Sequence, residues 1–371
     1  MNRRPQQSRS QYDAFSPRHT ARFTASTPDA RFFEPRKNMP FSRRILLLAL
    51  AALLLVAAGN FIANRFIRLD RVSVPIRGLP ESFDGYTLLH ISDLKGESFG
   101  SSQRALSLAL NKARYDAVVI TGDMISARGN AQPFYALLDV LRSHDASAPI
   151  YFIPGDSDPV PASAAHFAGG SPFAPWVLGA QQRGAQLLSS PQAIRRGAHT
   201  VWLATGSQLS LDIDAMQKQF ELQYIQARSS GGENEIELAT YNLKWLEETR
   251  AARSDMQEGD TYIALAHVPL SGEELALNPL LSRIHLLLCG HYLGGMLRLP
   301  MLGPLFVPSA SLPRYGILPG DACVSGLRRE GRAYVYTSSG LGSSVQDYPA
   351  LFFRLFNPPS VSLITLTPSS L

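Results

Sequence analysis

The segment YTLLHISDLKG, residues 86–96, carries the pattern that predicts the fold of this chain. Its apolar run, 86–91, has the length and composition of a strand buried on both faces, and it ends in the polar pair Ser92-Asp93. The pattern therefore predicts a buried strand that delivers the Asp93 carboxylate to a loop. Lys95 follows two residues later, and its protonated ammonium has no acceptor for a metal ion and would repel one.

The same succession of an apolar run and a polar stop recurs along the chain. The runs are short and rich in β-branched residues, which favours buried strands, and helical patterns lie between several of them. The runs are 86–91, 117–120, 150–153, 201–204, 262–266, 284–289, 333–336 and 361–366, and the helical patterns are 101–113, 134–141 and 241–252. Strands that alternate with helices predict a layered α/β domain, whose bounds we place at residues 72–371.

Residues 1–44 are basic and lack apolar periodicity. They hold ten Lys/Arg against three Asp/Glu and are rich in Ser, Pro, Gln and Thr, which predicts a disordered, solvated tail. The tail has a net charge of +7, whereas the remainder of the chain sums to −2. The folded part therefore gives no electrostatic reason to expect a nucleic-acid partner.

An apolar segment, residues 45–63, follows the pair Arg43-Arg44. It is long enough to cross a bilayer and carries Leu and Ala on every face, which predicts a transmembrane helix or signal anchor before a short linker, 64–71. The positive flank predicts a single-pass protein of the cell membrane, with its C-terminal domain outside the cytoplasm.

Two other export routes remain open for this segment. Ser42-Arg43-Arg44 resembles a twin-arginine signal, and Val56-Ala57-Ala58 resembles a cleavage site. A leading region of 44 residues is long for a signal peptide, which favours a retained anchor.

Carboxylates and imidazoles follow five of the predicted strands. Strand ends on one edge of an α/β sheet converge on a common crevice, so these side chains are expected to meet. In chain order they are Asp93, Asp123 of Thr121-Gly122-Asp123, Asp156 of Pro154-Gly155-Asp156-Ser157-Asp158, His267, and His291 after Gly290. Three carboxylates and two imidazoles in one crevice suit a divalent metal, and carboxylates bunched without a cation would repel one another.

The order of these motifs resembles that of the calcineurin-like metallophosphoesterases, and most closely that of their membrane-associated bacterial branch. The family pattern is Asp-x-His, Gly-Asp, Gly-Asn-His-Asp or -Glu, a lone His, and Gly-His-x-His. Further matches are Gly78-Leu79-Pro80, Phe83-Asp84-Gly85, Gly290-His291-x-x-Gly294-Gly295 and Gly340-Leu341-Gly342. The resemblance covers residues 72–371 and implies a β-sandwich flanked by helices, with two metal ions over the strand ends.

This chain departs from the family pattern where the chemistry is carried out. Lys95 replaces the His of the first motif, Ser157 replaces the His that helps the leaving group depart, and Leu293 replaces the second His of the last motif. Asp156 replaces the ligating Asn, and a carboxylate can serve as a ligand there.

The resemblance implies that one of the two metal positions survives. That position keeps Asp123, Asp156, His267 and His291, a set suited to one Mn, Fe or Zn ion. The other position keeps only Asp93 and the bridging Asp123. We expect its metal to be absent and the Lys95 ammonium to neutralise Asp93 in its place.

Three functions stay open at this point. The first is a membrane-anchored metallophosphoesterase domain with a degraded dimetal centre, which binds one ion and has weak or no activity. The second is an active single-metal phosphoesterase on a lipid, nucleotide or cell-wall phosphate, and the third is a non-catalytic interaction domain. The expected partners are the membrane, through residues 45–63, and a phosphate-bearing small molecule or lipid.

Overall fold

The computed structural model of the 371-residue chain describes residues 40–125, 129–167, 170–299, 301–307, 309, 312–320, 324–343 and 354–369. The chain divides into two compact units, Met1–Leu53 and Leu54–Leu371, and the second contains the folded domain. The described helices are α1 Phe41–Ala63, α2 Arg104–Leu110, α3 Gln132–His144, α4 Pro175–Gln182, α5 Gly206–Ser210, α6 Ile213–Ser230, α7 Glu233–Asp255 and α8 Gly272–Leu277. The described strands are β1 Arg68–Ile76, β2 Thr87–Ile91, β3 Ala117–Ile120, β4 Ile150–Phe152, β5 Ala185–Leu187, β6 Gln192–Arg196, β7 His199–Thr205, β8 Thr261–Leu265, β9 Leu286–Cys289, β10 Leu297–Leu299, β11 Gly303–Phe306, β12 Gly326–Glu330, β13 Ala333–Thr337 and β14 Ser360–Pro368.

Helix α1 contains the predicted membrane segment. It has 23 residues, its most apolar window has a mean hydropathy of 2.6, and none of that window is buried. At 1.5 Å per residue its length is about 35 Å, enough to cross the hydrocarbon core of a bilayer. Among the described helices α1 alone meets these criteria, so it is a candidate membrane span.

Two six-stranded sheets form the centre of the domain, in the orders β1-β14-β2-β3-β4-β5 and β12-β13-β9-β8-β7-β6. Strands β2, β3, β4 and β5 pair in parallel, as do β7, β8, β9 and β13. Since the carboxyl ends of parallel strands share an edge, the loops that carry the predicted site residues follow neighbouring strands at one edge of each sheet.

The two sheets face each other across an apolar layer. Val119 of β3 and Leu203 of β7 belong to one buried cluster that joins both sheets. Val118, which points to the opposite face of β3, packs with residues of α3 and α4, while α5 and α8 cover the outer face of the second sheet. The result is the predicted β-sandwich flanked by helices, and each of the eight predicted apolar runs contains a strand.

Strand β1 begins inside the segment that the sequence predicts to be a linker. It pairs with β14 along its whole length, from Arg68 opposite Ser360 to Ile76 opposite Pro368. Its sequence, RLDRVSVPI, mixes polar with apolar residues because this edge strand is only partly buried. An apolar-run pattern therefore could not identify it.

Helices α6 and α7 form a hairpin with a two-residue connection. The connection is Gly231-Gly232, because α6 extends through Ser230 and α7 begins at Glu233. Gly231 ends α6 with a φ of 75°, the left-handed conformation that glycine adopts without strain.

A fully buried arginine, Arg354, holds several loops of the domain together. Its guanidinium donates hydrogen bonds to the carbonyl oxygens of Leu293, Ser339, Gly340 and Gly342. Burial lowers the pKa of Arg354 to about 10, so the group remains charged at neutral pH. The charge is compensated by carbonyl dipoles of the loops that surround the strand ends.

Replacing Arg354 by methionine is expected to lower the free energy of unfolding by about 3 kcal/mol or more, because four buried carbonyl oxygens would lose a charged donor. Guanidinium-induced unfolding of the full chain in micelles measures the loss. Arg298→Met is the matched control, since the half-buried Arg298 donates, among the described residues, to Gly294 O and Ser325 Oγ. Equal losses for the two variants would contradict the assigned role of Arg354.

Candidate metal centre

The loops after five strands bring the predicted carboxylates and imidazoles together. Two groups of side chains have all their ligand atoms within 4.8 Å of one another. One group is Asp156, His267 and His291, and the other is Asp93, Asp123 and His267. The structure thus brings together all five residues predicted from the sequence, with His267 common to both groups.

The chain turns sharply as it leaves these strands. Asp93, Asp123 and His291 have φ values of 55°, 57° and 73°, in the left-handed region that Asp, Asn and His adopt more readily than other side chains. Gly290 permits close packing between the two sheets, because a Cβ there would lie 1.8 Å from Ser92 Oγ and 2.5 Å from Asp93 Oδ2. The strand ends therefore meet without an intervening layer of side chains.

His267 is oriented as a metal ligand would be. Its buried Nδ1 lies 2.8 Å from the carbonyl oxygen of Thr121, to which it donates a hydrogen bond. That bond turns Nε2 toward Oδ2 of Asp123, which lies 3.1 Å away. A histidine held through one nitrogen presents the lone pair of the other to a cation.

The electrostatics around His267 favour a positive charge at this point. Burial alone would lower the pKa of His267, but the carboxylates of Asp123 and Asp93 raise it to about 9. Among the described residues, Oδ1 of Asp93 is buried without a hydrogen-bond partner. Because buried polar atoms are almost always paired, this carboxylate oxygen fits a site for a cation.

Asp156 and His291 complete the first group on the side that faces solvent. Nδ1 of His291 lies 3.3 Å from Oδ2 of Asp156, whose side chain is 61% exposed. This contact lowers the pKa of Asp156 below its usual value. The rings of His267 and His291 meet edge to face, with their centroids 5.2 Å apart. Two imidazole nitrogens and a carboxylate oxygen form a donor set that suits Zn, Fe or Mn and leaves a coordination position open.

The Lys95 ammonium lies inside the second group. It forms its closest ion pair with Oδ2 of Asp123, and it lies 3.3 Å from Ser157 Oγ and 4.0 Å from Asp93 Oδ1. The expectation that Lys95 neutralises Asp93 is therefore only partly correct, because its main partner is the bridging Asp123. Burial opposes the charge, but Asp93 and Asp123 raise the pKa of Lys95 above its usual value, so the group is an ammonium.

Asp158 stabilises the loops of the site through hydrogen bonds to their backbone, and it is not among the site residues predicted from the sequence. Its carboxylate accepts hydrogen bonds from the backbone N–H groups of Asp123, Ile125 and Gly155, at 2.8–2.9 Å. Burial raises the pKa of Asp158 to about 6. The available signal was the acidic residue that ends the family pattern Gly-Asn-His-Asp or -Glu, a position that Asp158 holds in this chain.

The substituted positions Ser157 and Leu293 differ in their surroundings. Ser157 lies within the centre, since its backbone N–H and its hydroxyl donate to Asp123 at 2.7 and 3.1 Å. Leu293 is buried and packs with Met296 and Phe306. Its side chain therefore fills apolar space where the family pattern has a ligand.

The sequence of this chain is similar to those of known phosphoesterases. The family model described as calcineurin-like phosphoesterase matches residues 86–294. The uncharacterised metallophosphoesterase YkuE of Bacillus subtilis (strain 168) is 23% identical over 327 residues, which cover 86% of this chain and 93% of that protein. The crystal structure of a phosphopantetheinyl hydrolase from Mycobacterium tuberculosis is 12% identical and aligns with a TM-score of 0.36 over 78% of this chain and 98% of its own.

Proposed function

Because the chain belongs to the calcineurin-like phosphoesterase family, we propose that it is a membrane-anchored metallophosphoesterase domain with a degraded dimetal centre. In this proposal it binds one divalent ion and has weak or no phosphoester hydrolase activity. The observation that carries the proposal is the Lys95 ammonium, which contacts Asp123 within the group where a second ion would bind. In the other group, Asp156 instead pairs with His291, which is itself a candidate ligand.

In this proposal, three features of the chain make phosphoester hydrolysis weak: a single ion, Lys95 and Ser157. An ion held by Asp156, His267 and His291 would supply Lewis-acid polarisation of a phosphoryl oxygen. Lys95 compensates the charge of the buried carboxylates but occupies the space of a second cation. Ser157 stands where the family has its general acid, and its hydroxyl cannot protonate a leaving alkoxide at neutral pH. Loss of such a group commonly costs about 10²–10⁴-fold in rate.

One observation favours the alternative of an active single-metal enzyme. Lys95 keeps a positive charge beside the ligand group, with 11% of its side chain exposed, and an ammonium can stabilise negative charge that develops on a phosphoryl oxygen. In this second proposal Lys95 stands in electrostatically for the missing ion. Turnover of an aryl phosphodiester by the wild-type chain, abolished in His291→Ala, would establish this activity and overturn the silent domain.

We further propose that α1 is a retained anchor and that the domain after it lies outside the cytoplasm. The apolar length of α1 and the Arg43-Arg44 pair in its first turn support this orientation. Labelling of residues introduced at exposed positions of the domain, in intact cells with a membrane-impermeant reagent, tests it. Labelling only after the cells are lysed would contradict the orientation.

The full chain, expressed with Mn and purified in mild detergent, is expected to retain about one divalent ion per chain, because one ligand group is intact. Elemental analysis measures the metal content. His291→Ala is expected to lose most of the ion, whereas His199→Ala, which removes an exposed histidine outside both ligand groups, is expected to keep it. Folded wild-type protein without metal would contradict the proposal and favour the non-catalytic interaction domain.

A further inference from the structure

A large apolar cleft opens directly beside the candidate metal centre. It has a volume of about 870 Å³, and Asp156 and His267 form part of its wall. The apolar part of the remaining wall comes largely from the loops after β5 and β8 and from α7 and α8, and the polar part comes largely from α5. The main apolar side chains are Leu188, Trp245, Val268, Leu270, Leu277 and Leu281.

The polar side chains of the cleft are largely engaged within the protein. Gln208 accepts from Thr205 N and donates to Leu188 O, and the indole N–H of Trp245 donates to Ser189 O. Glu274 binds the backbone and hydroxyl of Ser271 in the capping box of α8. These groups are therefore poorly placed to recognise a polar ligand.

The charge of the cleft also limits its occupant. Of the described residues that line it, none is a lysine or an arginine. A nucleotide with a polyphosphate chain, or a substrate with a second phosphate, would find no cationic partner on this wall. An apolar group would instead gain free energy in proportion to the area that it buries.

We propose that this cleft binds the acyl chain of a membrane lipid whose phosphate occupies the site formed by Asp156, His267 and His291. The inference rests on the proposed function and names the substrate class of that same site. Three observations carry it: the cleft is continuous with the metal ligands, its wall is apolar and lacks cations, and α1 is a candidate membrane span on the same chain. A volume of this size is typical of sites that enclose a ligand of several tens of atoms.

The test uses the full, Mn-loaded chain in phosphatidylcholine nanodiscs and a series of n-alkyl phosphates from methyl to octyl. Binding is followed by tryptophan fluorescence, because Trp245 lines the cleft, with empty nanodiscs as the blank for partition into lipid. The apparent Kd is expected to fall about threefold to fourfold for each added methylene, as expected for burial of a CH₂ group. Affinity that does not change with chain length would overturn the inference.

Two matched variants separate the cleft from general hydrophobicity. Leu277→Glu places a charge on the cleft wall at a side chain that is 77% exposed, so the protein is expected to fold normally. It is expected to raise the apparent Kd for octyl phosphate by a factor at least ten times larger than its effect on the Kd for inorganic phosphate. Leu222→Glu, on the exposed face of α6 and outside the cleft, is expected to leave both affinities unchanged. Equal effects of the two variants would overturn the inference.

A second arm tests the source of the acyl chain. Phosphatidic acid included in the nanodisc bilayer is expected to compete with octyl phosphate and to raise its apparent Kd. Without competition, the occupant is a soluble amphiphile and the assignment to a membrane lipid is wrong. Failure of the proposed function would give a different result: the wild-type chain would retain no metal, and it would bind neither inorganic phosphate nor any alkyl phosphate of the series.

Discussion

Replacing Lys95 by methionine is expected to raise the bound Mn²⁺ from about one to about two ions per chain and to make folding depend on metal. In wild-type protein the ammonium compensates the buried Asp93 and Asp123, which are 0% and 1% exposed. Without it, two carboxylates would remain buried close together with no cation beside them. Breaking a buried ion pair from one side typically costs about 3–5 kcal/mol.

A cation from solution can replace the lost ammonium in this variant. Asp93, Asp123 and His267 have ligand atoms within 4.8 Å of one another, and because the one free nitrogen of His267 can bind only one of the two ions, a second ion has the carboxylates of Asp93 and Asp123 as candidate donors once Lys95 is gone. Thermal unfolding of the full chain in chelator and in Mn²⁺, together with elemental analysis, measures both effects. Lys112→Met, at an exposed position, is the matched control. It is expected to change neither the number of bound ions nor the dependence of thermal unfolding on metal.

The opposite result would have a clear meaning. If Lys95→Met were as stable as wild type in chelator and bound no additional ion, the ammonium would not stand in for a metal. The second group of carboxylates would then be a structural feature of this chain, and the proposal of a degraded dimetal centre would fail.

The sequence predicts that these five side chains converge because each follows a buried strand. A strand such as β2 or β8 is recognisable from a few consecutive apolar residues, and the parallel strands of one sheet end at a common edge. This edge explains why Asp93 and Asp123 meet in the first sheet and His267 and His291 in the second. The approach of Asp93 to His267 depends in addition on how the two sheets pack, which the strand pattern alone does not contain.

Features that depend on side-chain detail or distant pairing were not predicted. Lys95 has a long, flexible side chain, and its preference for Asp123 over Asp93 is decided by distances that no sequence pattern contains. Asp158 supports Asp123 through backbone N–H groups, which are present at every position. The apolar cleft likewise depends on how α7 and α8 pack beside the site.

The backbone at two substituted positions still has a conformation that suits histidine. Lys95 and Leu293 have φ values of 53° and 54°, in the left-handed region that is unusual for lysine and leucine but several-fold more common for histidine. Both residues thus adopt a conformation that histidine, the residue of the family pattern at these positions, adopts more easily. This supports the proposal that these positions belong to a degraded dimetal centre.

Restoring the family residues together, as Lys95→His, Ser157→His and Leu293→His, is therefore expected to raise phosphodiesterase activity by about 10²–10⁴-fold. Histidine at 95 removes the ammonium from Asp123 and adds a nitrogen ligand, and histidine at 157 can protonate a leaving alkoxide. Hydrolysis of bis(p-nitrophenyl) phosphate by the full chain in Mn²⁺ measures the gain. The same triple variant carrying His267→Ala is the control and is expected to lose the gained activity. A folded triple variant that binds two ions but is no more active than wild type would show that these three positions are wrongly assigned.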